Sequence, residues 1–412
     1  MKVSFLACIL LLAVQQSASQ DTVRVMTYNL LRYYPSDQLR DQYYRTVVQT
    51  ADPDLLIVQE IDTAAAVLNF LTNVLNFGGS NNYSAGMFID GYDSDNAIFF
   101  KTQKFAFVEN KPIATRLRNI SQFTMEHVAS GRSIVVFGVH LKAGNTTTPE
   151  ADSTRRSEEV DSLRRVTNSL PAGTNFLVVG DFNIYGSFES AYQKLIAVGG
   201  GNEGHVIDPL SMPGIWNDPA YMSFHTQSTR VRSFGYGATG GLDDRFDMIL
   251  MSKAASESGG VGFIPNSYRA FGNDGQHYND SINRLPNGAV PDNVAEALHA
   301  ASDHLPVVAE FVFDPAVGVE RNVLPGKSFL TYNYPNPFNP STSFELDVHE
   351  RGLVVVKVFD FLGREVATLV DEDRDPGHYR IIWDASRMTT GVYFCRMISG
   401  SHAVTRRVLL MK

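Results

Sequence analysis

The sequence predicts an α/β protein built as a four-layer α/β/β/α sandwich, two sheets packed on each other between helices, followed by a small C-terminal all-β sandwich. Three observations carry this. Seven apolar runs (VRVMTYNL, LLIVQE, NAIFF, SIVVFGVHL, FLVVGDFN, RFDMILM and PVVAEFVF) recur between Val23 and Phe313, interleaved with amphipathic stretches. Several of them are too evenly apolar to face water on either side, which calls for covered sheets. Beyond Asp314 the helical period stops, and short alternating runs separated by turn residues take over.

Taken in order, residues 1–20 place Lys2 ahead of an apolar run from Val3 to Val14 and the small residues Ser17, Ala18 and Ser19. That is the pattern of a secretory signal peptide, and the run is too short for the ~20 residues that span a bilayer. Without that segment one cysteine remains, Cys395, so no intramolecular disulfide is expected; a lone thiol in VYFCRM reads as a small buried hydrophobe. Residues 21–314 form the large domain. Helices are expected over 37–50, 63–75, 153–169 and 188–198, the third opened by Asp152 or Ser153 with Glu158 and Glu159 in its first turns. The stretches 76–94, 199–240 and 255–300 lack periodicity and read as surface loops, a length usually associated with function. Residues 315–328 read as a linker and 329–412 as the β-sandwich. In the latter, Pro335, Pro337 and Pro340 exclude helix and suggest an extended edge.

The chain holds 35 Lys+Arg and 44 Asp+Glu, a net charge of −9. From Ala316 onward the balance is 12 to 11, so residues 21–315 carry 22 against 33, or −11. An acidic body argues against a protein that coats nucleic acid, because that affinity comes from many cation–phosphate contacts. It leaves open an enzyme that needs a cation to meet an anionic substrate.

Five apolar runs deliver a polar group where the strand meets its rim. Asn29 closes VRVMTYN, Glu60 closes LLIVQE, His140 and Lys142 close SIVVFGVHLK, Asp181 and Asn183 close FLVVGDFN, and Asp303 with His304 precede PVVAEFVF. One such end is ordinary turn chemistry; five suggest a shared rim. Asn29, Glu60 and Asp303 offer hard oxygen ligands without a thiolate, a set suited to Mg²⁺ or Mn²⁺ rather than zinc. Asp181 can take a proton from water, and Asn183, two residues on, can orient that water or a substrate oxygen. His140 and His304 can donate to phosphate oxygens, and Asp247 in DDRFDMIL would fix a histidine tautomer and favour its charged form. Lys142 and Arg245, cations within these motifs, are candidate substrate contacts. Together these groups describe metal-assisted hydrolysis of a phosphate ester. His225 and Trp216, in the loop before DDRFD, either touch substrate or pack the loop on the body. Arg155, Arg156, Arg164 and Arg165 read as a solvated helix face.

The ordered series TYN, QE, GVHLK, GDFN, DRFDMIL and SDHLPV resembles the endonuclease/exonuclease/phosphatase superfamily, the fold of pancreatic deoxyribonuclease, over residues 22–314. The resemblance implies that Asn29 and Glu60 bind the metal and that Asp303 contributes to its shell. It assigns Asp181 to the attacking water with Asn183 beside it, pairs Asp247 with His304, and sets His140 on the scissile phosphate as in the nuclease and sphingomyelinase branches. Phe246 stands where the family usually has Ile, a conservative packing change. The expected activity is hydrolysis of nucleic-acid phosphodiesters; the alternatives are a sphingomyelinase-like or small-molecule phosphoesterase and, behind these, a non-enzymatic surface-binding protein. The tail, with NYPNPFNPSTSFEL and a closing GVYF-to-LLMK stretch, is similar to the C-terminal sorting domain of type IX secretion substrates. It implies contact with that machinery and a secreted or cell-surface location. No transmembrane segment is expected, and the oligomeric state is not legible.

Overall fold

The computed structural model describes residues 20–412 apart from 37, 80–81, 145–146, 234, 258, 316–328, 331–332, 334–337, 349, 362 and 401. The expected signal peptide up to residue 19 and nearly all of the expected linker lie outside the described residues.

The first sheet contains β1 (Asp21–Tyr33), β2 (Leu55–Ile61), β3 (Tyr83–Ala85), β4 (Asp95–Lys101), β11 (Val261–Phe263), β12 (Arg269–Ala270) and β13 (Val307–Phe313). The second contains β5 (Phe105–Ile113), β6 (Ile120–His127), β7 (Ser133–His140), β8 (Phe176–Asp181), β9 (Val206–Ile207) and β10 (Asp247–Ser252). Their orders are β11-β13-β1-β2-β4-β3, with β12 also on β13, and β5-β6-β7-β8-β10-β9. Only β1–β2 and β7–β8 pair in parallel; their neighbours β13 and β10 run the other way.

Strand alternation sends successive residues to opposite faces, and both faces of each sheet are covered. Val25, Leu55 and Ile57 meet Val136, Leu177, Val179 and Ile249 between the sheets. On the outer face of the first sheet, Met26, Tyr28 and Leu56 pack with Tyr44 of α1 (Gln38–Ala51), Phe70 of α2 (Ala64–Phe70) and Leu298 of α6 (Asp292–Ala301). On the outer face of the second, Val139, Val178 and Leu250 pack with Val160 and Leu163 of α3 (Pro149–Thr167) and Leu195 of α4 (Ser190–Ile196). These three cores separate four layers, as the sequence predicts.

Several boundaries differ from expectation. Helix α3 starts at Pro149, not at Ser153, because proline's fixed φ suits a first helical turn where its missing N–H costs nothing. Helix α2 is capped by Thr63, whose Oγ1 accepts from Ala66 N at 3.2 Å, and continues as a π-helical turn over Leu71–Leu75. The stretch 255–300, read as loop, contains α6. Its buried Val294, Ala297, Leu298 and Ala301 do follow helical spacing, but alanine at two of the four positions weakens the signal.

The C-terminal segment forms two sheets, β14 (Phe329–Leu330), β15 (Ser341–Val348) and β18 (Gly377–Asp384) in one, and β16 (Gly352–Asp360), β17 (Glu365–Arg374), β19 (Gly391–Ser399) and β20 (His402–Leu410) in the other. They enclose Phe344, Val356, Trp383, Cys395 and Leu410. Cys395 is fully buried, and burial pushes its thiol up to about 12, which leaves it an inert hydrophobe. Strand β15 pairs with β18 along its length and with β14 only at Leu346 and Asp347; Pro340 precedes it, where no ladder bond is lost, and Pro335 and Pro337 lie outside the described residues. Among the described residues no helix is long and apolar enough to cross a membrane.

Candidate active site

Parallel strands that share a direction end at the same side, and antiparallel neighbours begin there. The ends of β1, β2, β7 and β8 and the entrances of β10 and β13 therefore bring Asn29, Glu60, His140, Asp181, Asp247 and His304 to one rim. Pairing register sets Asp181 opposite both His140 and Asp247. A cleft of about 490 Å³ opens there, lined by Glu60, His140, Asp181, Asn183, Asp303 and His304 among others.

Two side-chain links join the sheets at the cleft, the Asn29 amide and the His304–Asp247 pair. Asn29 Nδ2 donates to Glu60 Oε1 and to Asp181 Oδ2, both at 3.1 Å, while Leu31 N donates to Asn29 Oδ1 at 2.9 Å. Asp181 Oδ1 accepts from Asn183 N at 3.1 Å. His140 Nε2 lies 3.6 Å from Asp181 Oδ2 and 3.8 Å from Glu60 Oε1. His304 Nε2 lies 3.8 Å from the same Asp181 oxygen, and its Nδ1 is 2.7 Å from Asp247 Oδ2. Asp303 Oδ2 accepts from Ala238 N at 2.5 Å, and its Oδ1 is buried without a partner.

Burial raises the Asp181 carboxyl to about 7, opposed by His304 and reinforced by Asp247 and Glu60. Burial works against a charged His304, but the Asp247 and Asp181 carboxylates outweigh it and hold the imidazole well above its ordinary value. His140 moves the opposite way: burial, then Arg118 and His304, hold it well below that value. The surroundings thus favour the charged form of one histidine and the neutral form of the other. Gln227 Nε2 sits 2.5 Å from His304 Nε2, and a half-turn of that amide presents its oxygen to an imidazolium N–H.

The rim backbone is unusual. Leu31, Arg32, Glu60 and Asn183 all have φ between 47° and 57°, a region non-glycine residues rarely adopt. Arg40 holds the first pair, donating to the carbonyls of Leu30, Leu31, Arg32 and Ala301 at 2.9 to 3.3 Å. Gly180, at φ 139°, has no room for a side chain: a Cβ would come 2.0 Å from the Val139 carbonyl oxygen. The glycine of GDFN thus lets β8 lie close enough to β7 to bring Asp181 beside His140.

Some expected site residues are elsewhere. Arg245 is fully buried, with both terminal nitrogens 2.8 Å from the Asp208 carboxylate and its guanidinium over the Trp216 ring, so it cannot reach a substrate. Lys142 is not itself among the lining residues: its Nζ bonds the carbonyl of Ala143, which does line the cleft, at 2.5 Å and pairs with Asp152 at 3.1 Å. Asn29 offers its NH₂ group to the two carboxylates, and its oxygen is taken by Leu31 N–H; as arranged it positions carboxylates. His225 is buried against Trp216 O, so the packing alternative holds for it. Arg156, expected on a solvated face, is buried on Glu189, and Arg164 binds the last carbonyls of α4. The sequence reading missed Gln227, Ser302 and the Arg32–Tyr34–Tyr236 wall of the cleft. Gln227 lies two residues after His225, and the Asp244 carbonyl accepts the N–H groups of Thr226 and Gln227 at 2.8 and 3.1 Å, a pairing invisible in sequence.

Residues 26–304 match the Endonuclease/Exonuclease/phosphatase family. The chain belongs to this family. It is accordingly a hydrolase of phosphate ester bonds, in a family that depends on divalent metal. Residues 333–411 match the Secretion system C-terminal sorting domain, which implies export. Similar solved structures include truncated Caenorhabditis elegans TDP2, at 17% identity and TM-score 0.44 over 70% of this chain and 97% of that one. The human Nocturnin catalytic domain follows at 18% and 0.45, covering 71% and 97%. ANGEL2, a 2',3'-cyclic phosphatase, stands at 15% and 0.40, covering 72% and 96%. No curated protein sequence matches the chain.

Proposed function

We propose that the protein is an exported Mg²⁺- or Mn²⁺-dependent phosphodiesterase that hydrolyses nucleic-acid phosphodiester bonds. The observation that carries this is the meeting of Asp181 with His140 and His304 at one cleft, their Nε2 atoms 3.6 and 3.8 Å from the same Asp181 oxygen.

Asp181 is the general base. Its two oxygens are fixed by Asn29 and by the Asn183 backbone, and a carboxyl near 7 accepts a proton from water at neutral pH. The charged His304, held by Asp247, donates from Nε2 to a non-bridging phosphate oxygen as negative charge builds. His140 contacts the same phosphate from the other side, and Asn183 orients water or substrate. The water attacks phosphorus opposite the leaving oxygen.

The donor set fits a hard cation. Glu60, Asp181 and Asp303 line one cleft with no thiol, and Asp303 Oδ1 is buried without a partner. Glu60 and Asp303 would hold the ion, with Asn29 keeping Glu60 in place. When bound, the cation neutralises phosphate charge and keeps nearby carboxylates ionised. The C-terminal domain engages type IX secretion machinery and directs the enzyme out of the cell or onto its surface.

The test is a panel of single-stranded DNA, duplex DNA, RNA, sphingomyelin and a phosphomonoester, with metal removed by chelation and then restored. Cleavage of a nucleic acid that stops on chelation and returns with Mg²⁺ or Mn²⁺ is expected. Turnover of sphingomyelin or the monoester alone would replace the substrate, rescue by Zn²⁺ alone would overturn the cation, and inactivity on every substrate would overturn the enzyme reading.

A further inference from the structure

The cleft has two chemically unlike parts. Beside the acidic and histidine-bearing part stands a wall made by Leu31, Arg32, Tyr34 and Tyr236. Three of them are held by one side chain: Arg40 donates to the Leu31 and Arg32 carbonyls and to the Tyr236 hydroxyl at 3.2 Å, and its guanidinium carbon lies 5.6 Å from the centre of the Tyr236 ring, while Tyr34 lines the same cleft two residues after Arg32.

Arg32 differs from other cations near the rim. Arg156, Arg245, Lys142 and Arg118 are committed to Glu189, Asp208, Asp152 and Asp93. Arg32 is exposed and lines the cleft, and its guanidinium has no hydrogen-bond or ion-pair partner among the described residues. Its backbone N–H donates to Glu60 Oε2 at 2.9 Å, which ties this cation to the catalytic end. In a body of charge −11 an exposed, uncommitted guanidinium at a cleft wall is a local point that favours an anion.

The chemistry of the wall discriminates between phosphodiesters. A choline headgroup is a cation; tyrosines alone would suit it, but Arg32 and Arg40 beside them repel it. A sugar phosphate offers tyrosine only a C–H face, without the flat π-surface of a base. A nucleotide supplies both an aromatic base for Tyr34 and Tyr236 and a neighbouring phosphate for a planar, five-donor guanidinium. A cleft of about 490 Å³ holds one such unit.

We propose that Arg32, Tyr34 and Tyr236 form a specificity subsite for the nucleotide that flanks the scissile phosphate, the tyrosines stacking its base and Arg32 binding its next phosphate. This rests on the phosphodiesterase reading.

Three chromogenic esters with one leaving group test it: a nucleotide p-nitrophenyl diester, the same diester with a second phosphate on its sugar, and p-nitrophenylphosphorylcholine. With Mg²⁺, kcat/KM of the wild type is expected to favour the nucleotide over the choline ester by about tenfold or more, and the second phosphate to add a further increment. Arg32→Ala and Arg32→Gln should erase that increment, mostly through KM, and Tyr236→Ala should shrink the preference for the base. Equal use of the nucleotide and choline esters by the wild type, or an intact phosphate increment in both Arg32 variants, overturns the subsite and leaves the phosphodiesterase reading standing. Cleavage of none of the three overturns both.

Discussion

Asp181 accepts from one side chain and one backbone N–H while two histidines and two carboxylates face it, and its burial disfavours the charge it needs. Replacing Asp181 with Asn removes the proposed base and, without metal, also removes that electrostatic cost. The expected result is a fall in kcat of about 10²- to 10⁴-fold with a Tm equal to or above that of the wild type. Near-normal kcat, or a collapse in Tm, would remove Asp181 from this role. Arg245 presents the reverse case: Arg245→Leu strands Asp208 in the core, at about 3–5 kcal/mol for breaking a buried pair. Thermal denaturation should show the loss, while KM of the folded fraction stays that of the wild type; a raised KM without instability would return Arg245 to the substrate. The contrast explains what was legible. A carboxylate at the end of FLVVG has to find partners at a rim, so Asp181 announces itself. Arg245 shares its motif with Asp247, but its partner lies 37 positions away and its direction is set by contacts that no local pattern encodes.

At the scale of elements, strand ends were readable because β-branched runs have a fixed period and stop abruptly at polar residues. The alanine-rich α6, strand β5 with its register shift between Phe107 and Glu109, and strand β6 with polar residues at five of its eight positions were not. Those strands nevertheless anchor the first sheet. Asp21, the first residue of β1, pairs with Lys104, just before β5, and lies 3.0 Å from Nε2 of His127, at the end of β6. Burial acts to raise the Asp21 carboxyl, but the bonds from Lys104 and His127 outweigh it and hold the group below 3.8. A depressed carboxyl contributes stability above its unfolded value of 3.8, and that contribution disappears as pH falls through the lower folded value. Asp21→Asn should therefore lower Tm near neutral pH, by the equivalent of about 1 kcal/mol or less for a partly exposed pair. The gap to the wild type should close as pH drops below about 4. Parallel Tm curves for the two proteins down to the acid end would show that the pair contributes nothing.

For the whole molecule, the charge of the body and the chemistry of the cleft pull in opposite directions. Residues 21–315 carry −11, and a nucleic-acid strand approaching the rim meets that field before it meets Arg32 or the imidazolium of His304. The reach of the field depends on salt: the screening length falls from about 30 Å at 0.01 M to about 10 Å at 0.1 M, so added salt removes repulsion acting across the body but not contacts made inside the cleft. A basic binder loses affinity with salt because each phosphate contact releases counterions, whereas Arg32 and the His304 imidazolium supply only a couple of such contacts in this cleft. The long-range repulsion should win. At fixed Mg²⁺, kcat/KM for a single-stranded oligonucleotide is expected to rise several-fold between about 0.01 and 0.1 M NaCl, with kcat nearly constant. A small nucleotide diester, carrying one charge, should barely respond. A steady fall for the oligonucleotide across the same range would mean that local cations, not the acidic body, govern its approach.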